Sequence, residues 1–385
     1  MTNNNPNLSL DEAAVEWVDT DKRLSQLCEE WSKQPCIAVD TEFVRTDTFY
    51  PILGLIQVSD GETCWLVDPL AIEDMLPLAE LLVDNRVVKI FHACSEDLEV
   101  LQHSMGVIPK PIIDTQLAAA FVGFGFSKGY AALVGDVLGI TLDKHETRSD
   151  WLQRPLTEAQ QRYGAEDVYY LVHVYHKLIQ QLEQGSRLSW VETDMKELVA
   201  KISTTGPADE YYLKIKGAWQ LRQDELAILK QLACWREHSA REQNKPRNRI
   251  VSDRMMLEVA KAKPKSLPGL QRVKEMHPRV VRQYGDDLLE LVEQTLNADH
   301  SEWPSRLPKP LPRESGVWLK QLRAVQEGVA NEIGVAREIL ARKKDIEEIV
   351  QSAYDGRPRM PEHWQGTWRD ALLGQPMLAA LPDLL

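Results

Sequence analysis

Two carboxylates stand two residues apart at the end of an apolar run, in the segment Ile37–Phe43, which reads IAVDTEF. Side chains of an extended strand alternate between its two faces, so Asp40 and Glu42 point to the same side. Like charges held side by side repel each other, and a divalent cation between them removes the repulsion, because Mg²⁺ and Mn²⁺ take oxygen ligands. The segment therefore predicts a strand that ends at a metal site.

A third carboxylate, Asp97, lies in FHACSEDLEVL, just after the apolar run Val87–Phe91. Ser95 is a candidate N-cap, which would put Asp97 in the first turn of a helix at the edge of a sheet. Taken alone, Asp97 is more often an ordinary acidic residue that favours a helix start. Its position in the chain order is what makes it a candidate ligand.

Tyr163 and Asp167 are four residues apart in the helical pattern YGAEDVYYL, so they are neighbours on one helix face. Alone they would be ordinary surface residues. Together with the other three carboxylates, Asp167 completes a set that can hold two cations and support phosphodiester hydrolysis. Tyrosine, with an ordinary pKa near ~10, is expected to orient a water molecule by a hydrogen bond rather than to act as a base.

The first half of the chain alternates strand-like and helix-like runs, which predicts an α/β layer with a mixed sheet. A hairpin turn is expected at Ser59–Thr63. The predicted strands are Cys36–Glu42, Leu55–Ser59, Cys64–Val67, Val87–Phe91 and Ile112–Asp114, and the predicted helices include Met75–Val83, Glu96–His103 and a long one from Thr157 to about Leu182.

Strand patterns cease beyond Gly206 and Pro207, and the rest of the chain reads as helices broken by prolines. The stretch Glu302–Gly316 holds four prolines and predicts a stiff linker. We expect an α/β domain at residues 1–208, a first helical domain at 209–297, a linker at 298–316 and a second, divergent helical domain at 317–385. The predicted helices are Trp219–Gln243, Asp253–Lys261, Leu267–Met276, Arg279–Glu293, Val317–Ser352 and a shorter one near Trp364–Leu373.

The net charge of −13 is distributed unevenly along the chain. Residues 1–208 carry 16 basic and 32 acidic residues, whereas residues 209–295 carry 17 basic and 13 acidic ones. Weak basicity of the middle segment is compatible with contacts to phosphates but does not establish them. Two alternatives stay open for its basic run, an RNA-binding surface or a solvated face; the run is Arg236, Arg241, Lys245, Arg247 and Arg249.

The bulk composition is that of a globular protein, with 43% apolar and 27% charged residues. No apolar run approaches the ~18 residues of a membrane span, and MTNNNPNLSL lacks the pattern of a secretory signal. Five cysteines without metal-finger spacing are expected as reduced thiols. We therefore expect a cytoplasmic protein without a membrane partner, and a monomer because coiled-coil heptads are absent.

Three segments, IAVDTEF, FHACSEDLEVL and YGAEDV, resemble the exonuclease motifs of the DEDD superfamily in its tyrosine-bearing branch. The text around them is similar to the ribonuclease D family, in TFYPILGLIQVSDG, IIDTQLAAAFVG and SDWLQRPLTEAQQRYGAEDVYYL. Residues of about 216–295 resemble the helicase-and-RNase-D C-terminal (HRDC) domain, and the last block resembles a divergent second copy. Gly164 and Cys94 depart from the family pattern, which usually has alanine and glycine there.

The resemblance implies a ribonuclease H-like α/β fold followed by two small all-α domains. It also implies a 3′–5′ exoribonuclease that releases 5′-mononucleotides and trims 3′ ends of precursor tRNA and other small structured RNAs. Asp40, Glu42, Asp97 and Asp167 would bind two divalent cations, Mg²⁺ or Mn²⁺, and Tyr163 would position the attacking water. Single-stranded 3′ tails of RNA would enter the site.

Three further residues are candidates for substrate contacts, each with a packing alternative. A bend after Glu42 would aim Phe43 at a terminal base, since stacking tolerates any base. His92 at a strand end is expected to contact substrate or support the metal site. Trp151 has the same two interpretations as Phe43, stacking on a base or packing in the core.

Two rival functions remain. A DNA exonuclease of the same superfamily would keep the chemistry and change the substrate, although no polymerase or helicase motif accompanies the domain. A non-catalytic RNA-binding module is disfavoured because all five motif residues are present.

Overall fold

The structure, a computed structural model, describes residues 8–142, 149–203 and 207–381. These residues form two compact units. The first comprises residues 8–44, 52–142, 149–203 and 311–381, and the second comprises 45–51 and 207–310. The sequence predicts a domain boundary after residue 208; among the described residues the first unit ends here at residue 203 and the second resumes at residue 207.

A six-stranded mixed sheet forms the centre of the first unit. Its strands are β1 (Ala14–Val18), β2 (Cys36–Val44), β3 (Ile52–Ser59), β4 (Thr63–Val67), β5 (Val88–Phe91) and β6 (Ile112–Asp114), in the order β1-β4-β3-β2-β5-β6. β3 pairs antiparallel with β2 and β4, and the other pairs are parallel. The predicted α/β class with a mixed sheet is confirmed. β1 was not predicted; only Val18 of its five residues is buried, and its burial does not alternate as in a typical half-buried strand.

Helices surround this sheet: α1 (Asp21–Trp31), α2 (Leu76–Val83), α3 (Ser95–Met105), α4 (Thr115–Phe121), α5 (Tyr130–Leu138), α6 (Glu158–Gln184) and α7 (Leu188–Ser203). α6 begins with a capping box, in which Thr157 and Gln160 satisfy each other's backbone N–H groups. It packs against β2, β3 and β4. Val168, Leu171 and Leu178 are at most 1% exposed, and each such burial stabilises the fold by about 1.5–3 kcal/mol.

The last helical block belongs to the same unit as the sheet. It contains α13 (Gly316–Ile333), α14 (Arg337–Leu340), α15 (Lys343–Tyr354) and α16 (Gln375–Ala379). Trp368 stacks on Trp190 of α7 with ring centroids 4.8 Å apart, and Arg369 forms a buried ion pair with Asp194 of α7. These contacts extend the core of the sheet domain into the helical block.

The second unit is helical, with α8 (Gln223–Glu242), α9 (Arg247–Ile250), α10 (Asp253–Ala262), α11 (Leu267–Gln271) and α12 (Pro278–Asn297). Apolar side chains of α8, α10 and α12 form its core. The segment Arg45–Pro51 also belongs to this unit, and its Phe49 is buried in that core. In the part of the chain that is described, no helix has the length and apolar character needed to cross a membrane.

Candidate active site

β2 carries Asp40 and Glu42 at its carboxyl-terminal half, after a fully buried start at Cys36–Val39. Asp40 lies directly opposite Gln57 of β3 in the antiparallel register. The register shifts between Glu42 and Phe43, which is a β-bulge. Bulges often redirect side chains beside functional sites.

Asp97 lies in the first turn of α3, as predicted, and is 6% exposed. The prediction that Ser95 caps this helix is wrong: Cys94 occupies the N-cap position and makes no side-chain cap hydrogen bond. Asp114 of β6 fixes the turn that leads into α3, since its carboxylate accepts hydrogen bonds from the N–H groups of Ala93 and Cys94, each at 3.0 Å. The turn before α3 is therefore held by a residue twenty positions away.

Tyr163 and Asp167 face the same site from α6, and the Tyr163 hydroxyl donates a hydrogen bond to the Asp167 carboxylate. Gly164 between them lies close to the sheet. A Cβ atom there would be 3.2 Å from Leu55 Cδ2 and 3.3 Å from Gln57 Cγ. Glycine at this position lets α6 approach β3 closely, although glycine has a lower helix propensity than alanine.

The structure brings the four carboxylates together. One oxygen each from Asp40, Glu42 and Asp167 lie within 4.8 Å of one another, the only such acidic group with metal-binding geometry among the described residues. Asp97 is not in that trio, but its charge acts on both Asp40 and Glu42. None of the four forms an ion pair with a cationic side chain in the described ranges.

Burial raises the pKa of every carboxyl group in this cluster, and repulsion within the cluster raises it further for Asp40, Glu42 and Asp167. Burial, with the charges of Asp97, Asp167 and Glu42, raises the pKa of Asp40 well above its ordinary value. Burial and the neighbouring carboxylates raise the pKa of Glu42 to about 8. Burial raises the pKa of Asp167 to about 7 and that of Asp97 to about 6, although hydrogen bonds from Tyr163 and Thr41 oppose the rise. Uncompensated carboxylates at this spacing fit divalent cations, which take oxygen ligands.

The pKa shifts predict how the stability of the metal-free protein depends on pH. A folded-state pKa above the unfolded value gives stability that is complete below the unfolded pKa, near ~4, and is lost as pH rises through the folded pKa. For Glu42 that loss extends to about pH 8. We therefore expect the melting temperature of chelator-treated protein to fall from about pH 5 to about pH 8.5.

The matched control for this prediction is the variant Glu42→Gln, which removes one of the repelling charges. Its metal-free melting temperature should fall less over the same pH range, and differential scanning fluorimetry measures both curves. Excess Mg²⁺ should flatten the parent curve. Parallel curves for parent and variant would show that Glu42 carries no such repulsion.

The three candidate substrate contacts have different environments. Phe43 follows the β-bulge, so the bend considered in the sequence is present, and its ring is partly buried against the core. Both ring nitrogens of His92 already have partners, Thr115 Oγ1 at 2.9 Å and the Lys128 carbonyl at 3.1 Å. These hydrogen bonds support a structural role for His92, and its contact with substrate stays a prediction.

Trp151 is 4% exposed and packs with Leu55, Leu66 and Leu156. Its ring lies 6.0 Å from that of Tyr163, between centroids. Of the two alternatives for Trp151, the structure therefore favours packing over base stacking, because the indole is buried.

Sequence reasoning missed Thr41, which stands between the two carboxylates of β2. Its hydroxyl donates a 2.6 Å hydrogen bond to Asp97 Oδ1, and it is 5% exposed. Strand alternation gave no signal for this contact, because Thr41 should face away from Asp40 and Glu42 on an ideal strand.

Three residues of the basic run in the helical unit have partners inside that unit. Arg236 is 4% exposed and donates to the Val251 carbonyl. Arg241 and Arg247 both pair with Glu237, itself 1% exposed, each with a shortest distance of 2.6 Å. These guanidinium groups are engaged in internal ion pairs and hydrogen bonds, so they hold the helical unit together.

Comparisons with known proteins agree along nearly the whole chain. A family model described as 3′–5′ exonuclease matches residues 15–183, and the HRDC domain model matches residues 225–292. Ribonuclease D of Pseudomonas paraeruginosa is 47% identical over 95% of this chain and 97% of its own length. Ribonuclease D of Escherichia coli is 38% identical over 96% of this chain and 97% of its own.

A solved structure is similar over the same extent. The crystal structure of Escherichia coli RNase D, described as an exoribonuclease involved in structured RNA processing, has a TM-score of 0.88. It is 36% identical, and the match covers 95% of this chain and 98% of that one.

Proposed function

We infer the function from the family: this chain belongs to the ribonuclease D family of 3′–5′ exoribonucleases. We propose that it removes 5′-mononucleotides one at a time from RNA 3′ ends. The observation that carries the proposal is the convergence of four carboxylates from β2, α3 and α6, with Asp97 buried and the other three half-buried, and with no cationic partner among the described residues. Such a cluster is costly unless divalent cations neutralise it.

In this proposal Asp40, Glu42, Asp97 and Asp167 hold two divalent cations, Mg²⁺ or Mn²⁺. When bound, the cations supply charge neutralisation and lower the pKa of a water molecule. The carboxylates are preorganised for this task, since the Thr41 hydroxyl fixes Asp97 and the Tyr163 hydroxyl fixes Asp167.

Tyr163 acts as a hydrogen-bonding group in this proposal. Burial and the charges of Asp167 and Glu42 raise the pKa of Tyr163 above its ordinary value, so its hydroxyl keeps its proton at neutral pH. The ordinary pKa of tyrosine, near ~10, already implies a protonated hydroxyl at neutral pH when cations neutralise the carboxylates, and a protonated phenol is not a general base. Its role is therefore to orient the attacking water by a hydrogen bond.

The substrate proposed is RNA with a single-stranded 3′ tail, above all the 3′ ends of precursor tRNA and of other small structured RNAs. The family and the HRDC domain imply RNA binding. A DNA exonuclease is the second candidate, and the cluster of carboxylates serves either polymer. The full-length similarity to ribonuclease D favours RNA.

We further propose that residues 317–385 form a second, divergent HRDC-like copy after the one at 209–297, with the linker at 298–316. Helix starts repeat at a separation of 90 residues: α9 and α14 begin at Arg247 and Arg337, and α10 and α15 at Asp253 and Lys343. Both α9 and α14 are four residues long.

Internal contacts repeat at the same separation. Glu237 pairs with Arg247 at 2.6 Å, and Glu327 pairs with Arg337 at 3.3 Å. Arg236 donates to the Val251 carbonyl, as Gln326 does to the carbonyl of Ala341. Buried apolar positions also coincide: Leu232 and Leu322, Ala240 and Ala330, Ile250 and Leu340, Met256 and Ile346, Val259 and Ile349.

We propose in addition that the protein works in the cytoplasm as a monomer. All five cysteines are free thiols and four are buried, a state that fits a reducing compartment.

Digestion of a 3′-extended precursor tRNA tests the proposed activity. Sized products should be 5′-mononucleotides and an RNA shortened from its 3′ end, and a chelator should stop their release because the carboxylates then lack cations. Size-exclusion chromatography with light scattering tests the monomer in the same preparation.

A matched DNA oligonucleotide is the control, because the 2′-hydroxyl distinguishes the two polymers. Equal digestion of both would favour the DNA exonuclease. Release of oligonucleotides from internal positions would contradict an exonuclease altogether.

A further inference from the structure

Trp151 belongs to a small apolar cluster that is separate from the main core of the first unit. The cluster contains Leu55 of β3, Leu66 of β4 and Leu156, and Tyr163 packs against its edge. Centroids of the Trp151 and Tyr163 rings are 6.0 Å apart, with their planes tilted by 40°. Aromatic pairs at this distance attract each other and restrict each other's orientation.

The backbone of Trp151 is pressed against β3. A Cβ atom on Gly54 would lie 2.6 Å from the Trp151 carbonyl oxygen and 2.9 Å from its Cβ. Only glycine at position 54 allows so close an approach. The indole therefore projects from a backbone that cannot shift towards the sheet.

Arg154 and Asp68 fasten the same segment to the sheet. Arg154 Nε donates to Asp68 Oδ2 at 2.7 Å and Nη2 donates to Oδ1 at 2.6 Å, a bidentate pair with Asp68 only 4% exposed. The same guanidinium donates to the carbonyl oxygens of Trp151 at 3.0 Å and Gly54 at 2.6 Å. Planar bidentate geometry fixes direction as well as distance.

Hydrogen bonds also hold this segment at the start of α6. Gln160 Nε2 donates to the Asp150 carbonyl at 3.1 Å, and the Gln160 amide closes the capping box with Thr157. Tyr163 follows on the first turns of this helix. Hydrogen bonds at Asp150 and at Thr157 thus tie both ends of the segment around Trp151 to α6, the helix that carries Tyr163 and Asp167.

We propose that Trp151 is a positioning residue that sets the orientation of the Tyr163 ring, and that Arg154 and Asp68 hold Trp151 in place for that purpose. The inference rests on the proposed role of Tyr163 in orienting water. The Tyr163 hydroxyl reaches Asp167, so a tilt of the ring displaces this hydrogen bond. Displacements of about 1 Å at such a group can cost on the order of 10²-fold in rate.

The first experiment compares Trp151→Leu with Trp31→Leu on a 3′-tailed RNA. Both tryptophans are buried, at 4% and 1% exposed, but Trp31 packs on Trp65, away from the carboxylates. We expect Trp151→Leu to lower kcat by about 10-fold or more with little change in KM or in the dissociation constant for Mn²⁺. Trp31→Leu should lose thermal stability and keep kcat within about twofold. Equal loss of kcat in both variants would mean general destabilisation and overturn the proposal.

The second experiment combines each change with Tyr163→Phe. If Trp151 acts through the tyrosine hydroxyl, Trp151→Leu should add less than about a further twofold loss of kcat once that hydroxyl is gone. A full additional loss in the double variant would overturn the inference about Trp151 alone. An unchanged rate for Tyr163→Phe by itself would instead remove the proposed role of Tyr163.

Trp151→Phe keeps an aromatic ring and serves if the leucine variant does not fold. It should lower kcat less than Trp151→Leu and show the same coupling to Tyr163→Phe. Arg154→Lys keeps the positive charge but loses the bidentate contact, so it too should lower kcat and couple to Tyr163→Phe. Independent, additive effects of both variants would overturn the proposal.

Discussion

The variant Asp40→Asn is expected to lower the rate of RNA digestion by at least about 10³-fold, which corresponds to about 4 kcal/mol of lost transition-state stabilisation. Asparagine has nearly the same shape as aspartate but no charge, so it weakens the hold on a divalent cation where three other carboxylates converge. Rates measured with saturating RNA and excess Mg²⁺ or Mn²⁺ test this. A digestion rate within tenfold of the parent rate would contradict the proposed site.

The same variant should make the metal-free protein more stable. Asp40 carries a pKa well above its ordinary value because of burial and the charges of Asp97, Asp167 and Glu42. Removing that charge removes repulsion that the folded chain otherwise sustains, as is common where active sites trade stability for function. A fall in activity together with a rise in stability distinguishes loss of a metal ligand from loss of the fold.

Glu96→Gln is the matched control for these carboxylate variants. Glu96 precedes Asp97 directly but is exposed on α3. It also loses one negative charge within the same motif, and it should digest RNA at the parental rate. A comparable loss of activity in Glu96→Gln would mean that overall charge, rather than the cluster, sets the rate.

The order of elements in the sheet domain was readable from the chain because strand and helix patterns differ in period. IAVDTEF predicted both β2 and the shared face of Asp40 and Glu42, and i,i+4 spacing predicted that Tyr163 accompanies Asp167. Convergence of these residues followed from the rule that strand ends meet at one edge of a sheet. Local periodicity was therefore sufficient to select the four carboxylates as a group.

Contacts that support the site were not readable in the same way. Thr41 bonds Asp97 over 56 positions, and Asp114 holds the turn at Ala93 from β6. Arg154 reaches Asp68 across 86 positions. Such partners are set by tertiary packing, and no single-sequence pattern marks them. The sequence could not choose between the two alternatives for Trp151 for the same reason, since burial decides whether an aromatic ring can stack on a base.

The arginines of the helical unit illustrate a limit of charge patterning. A basic run on a helix and loop suggests a phosphate-binding surface, but Glu237 lies buried between Arg241 and Arg247. One acidic residue, ten positions from Arg247, gives both arginines an internal partner. Counting charges along a segment cannot reveal such pairs, because it ignores which side chains meet.

The largest structural effect is expected from Arg369→Met, which should cost about 3–5 kcal/mol of the stability that joins the last helical block to α7. Arg369 and Asp194 have side chains only 9% and 11% exposed, and Arg369 Nη2 donates to Asp194 Oδ2 at 2.6 Å. The same guanidinium donates to the carbonyl oxygens of Leu340 and Ile339. Methionine leaves a buried carboxylate and two carbonyl groups without their donor.

Hydrogen exchange measures this loss locally, which suits a chain with two units, where one unfolding free energy is poorly defined. Amide protection in α13 and α15 should fall in Arg369→Met, while protection in α8 of the other unit stays unchanged. Arg337→Met is the control: Arg337 is 53% exposed in its pairs with Glu327 and Glu338, so its loss should leave the amide protection of α13 and α15 nearly unchanged. Equal protection in the two variants would mean that the Arg369–Asp194 pair does not hold the helical block in place.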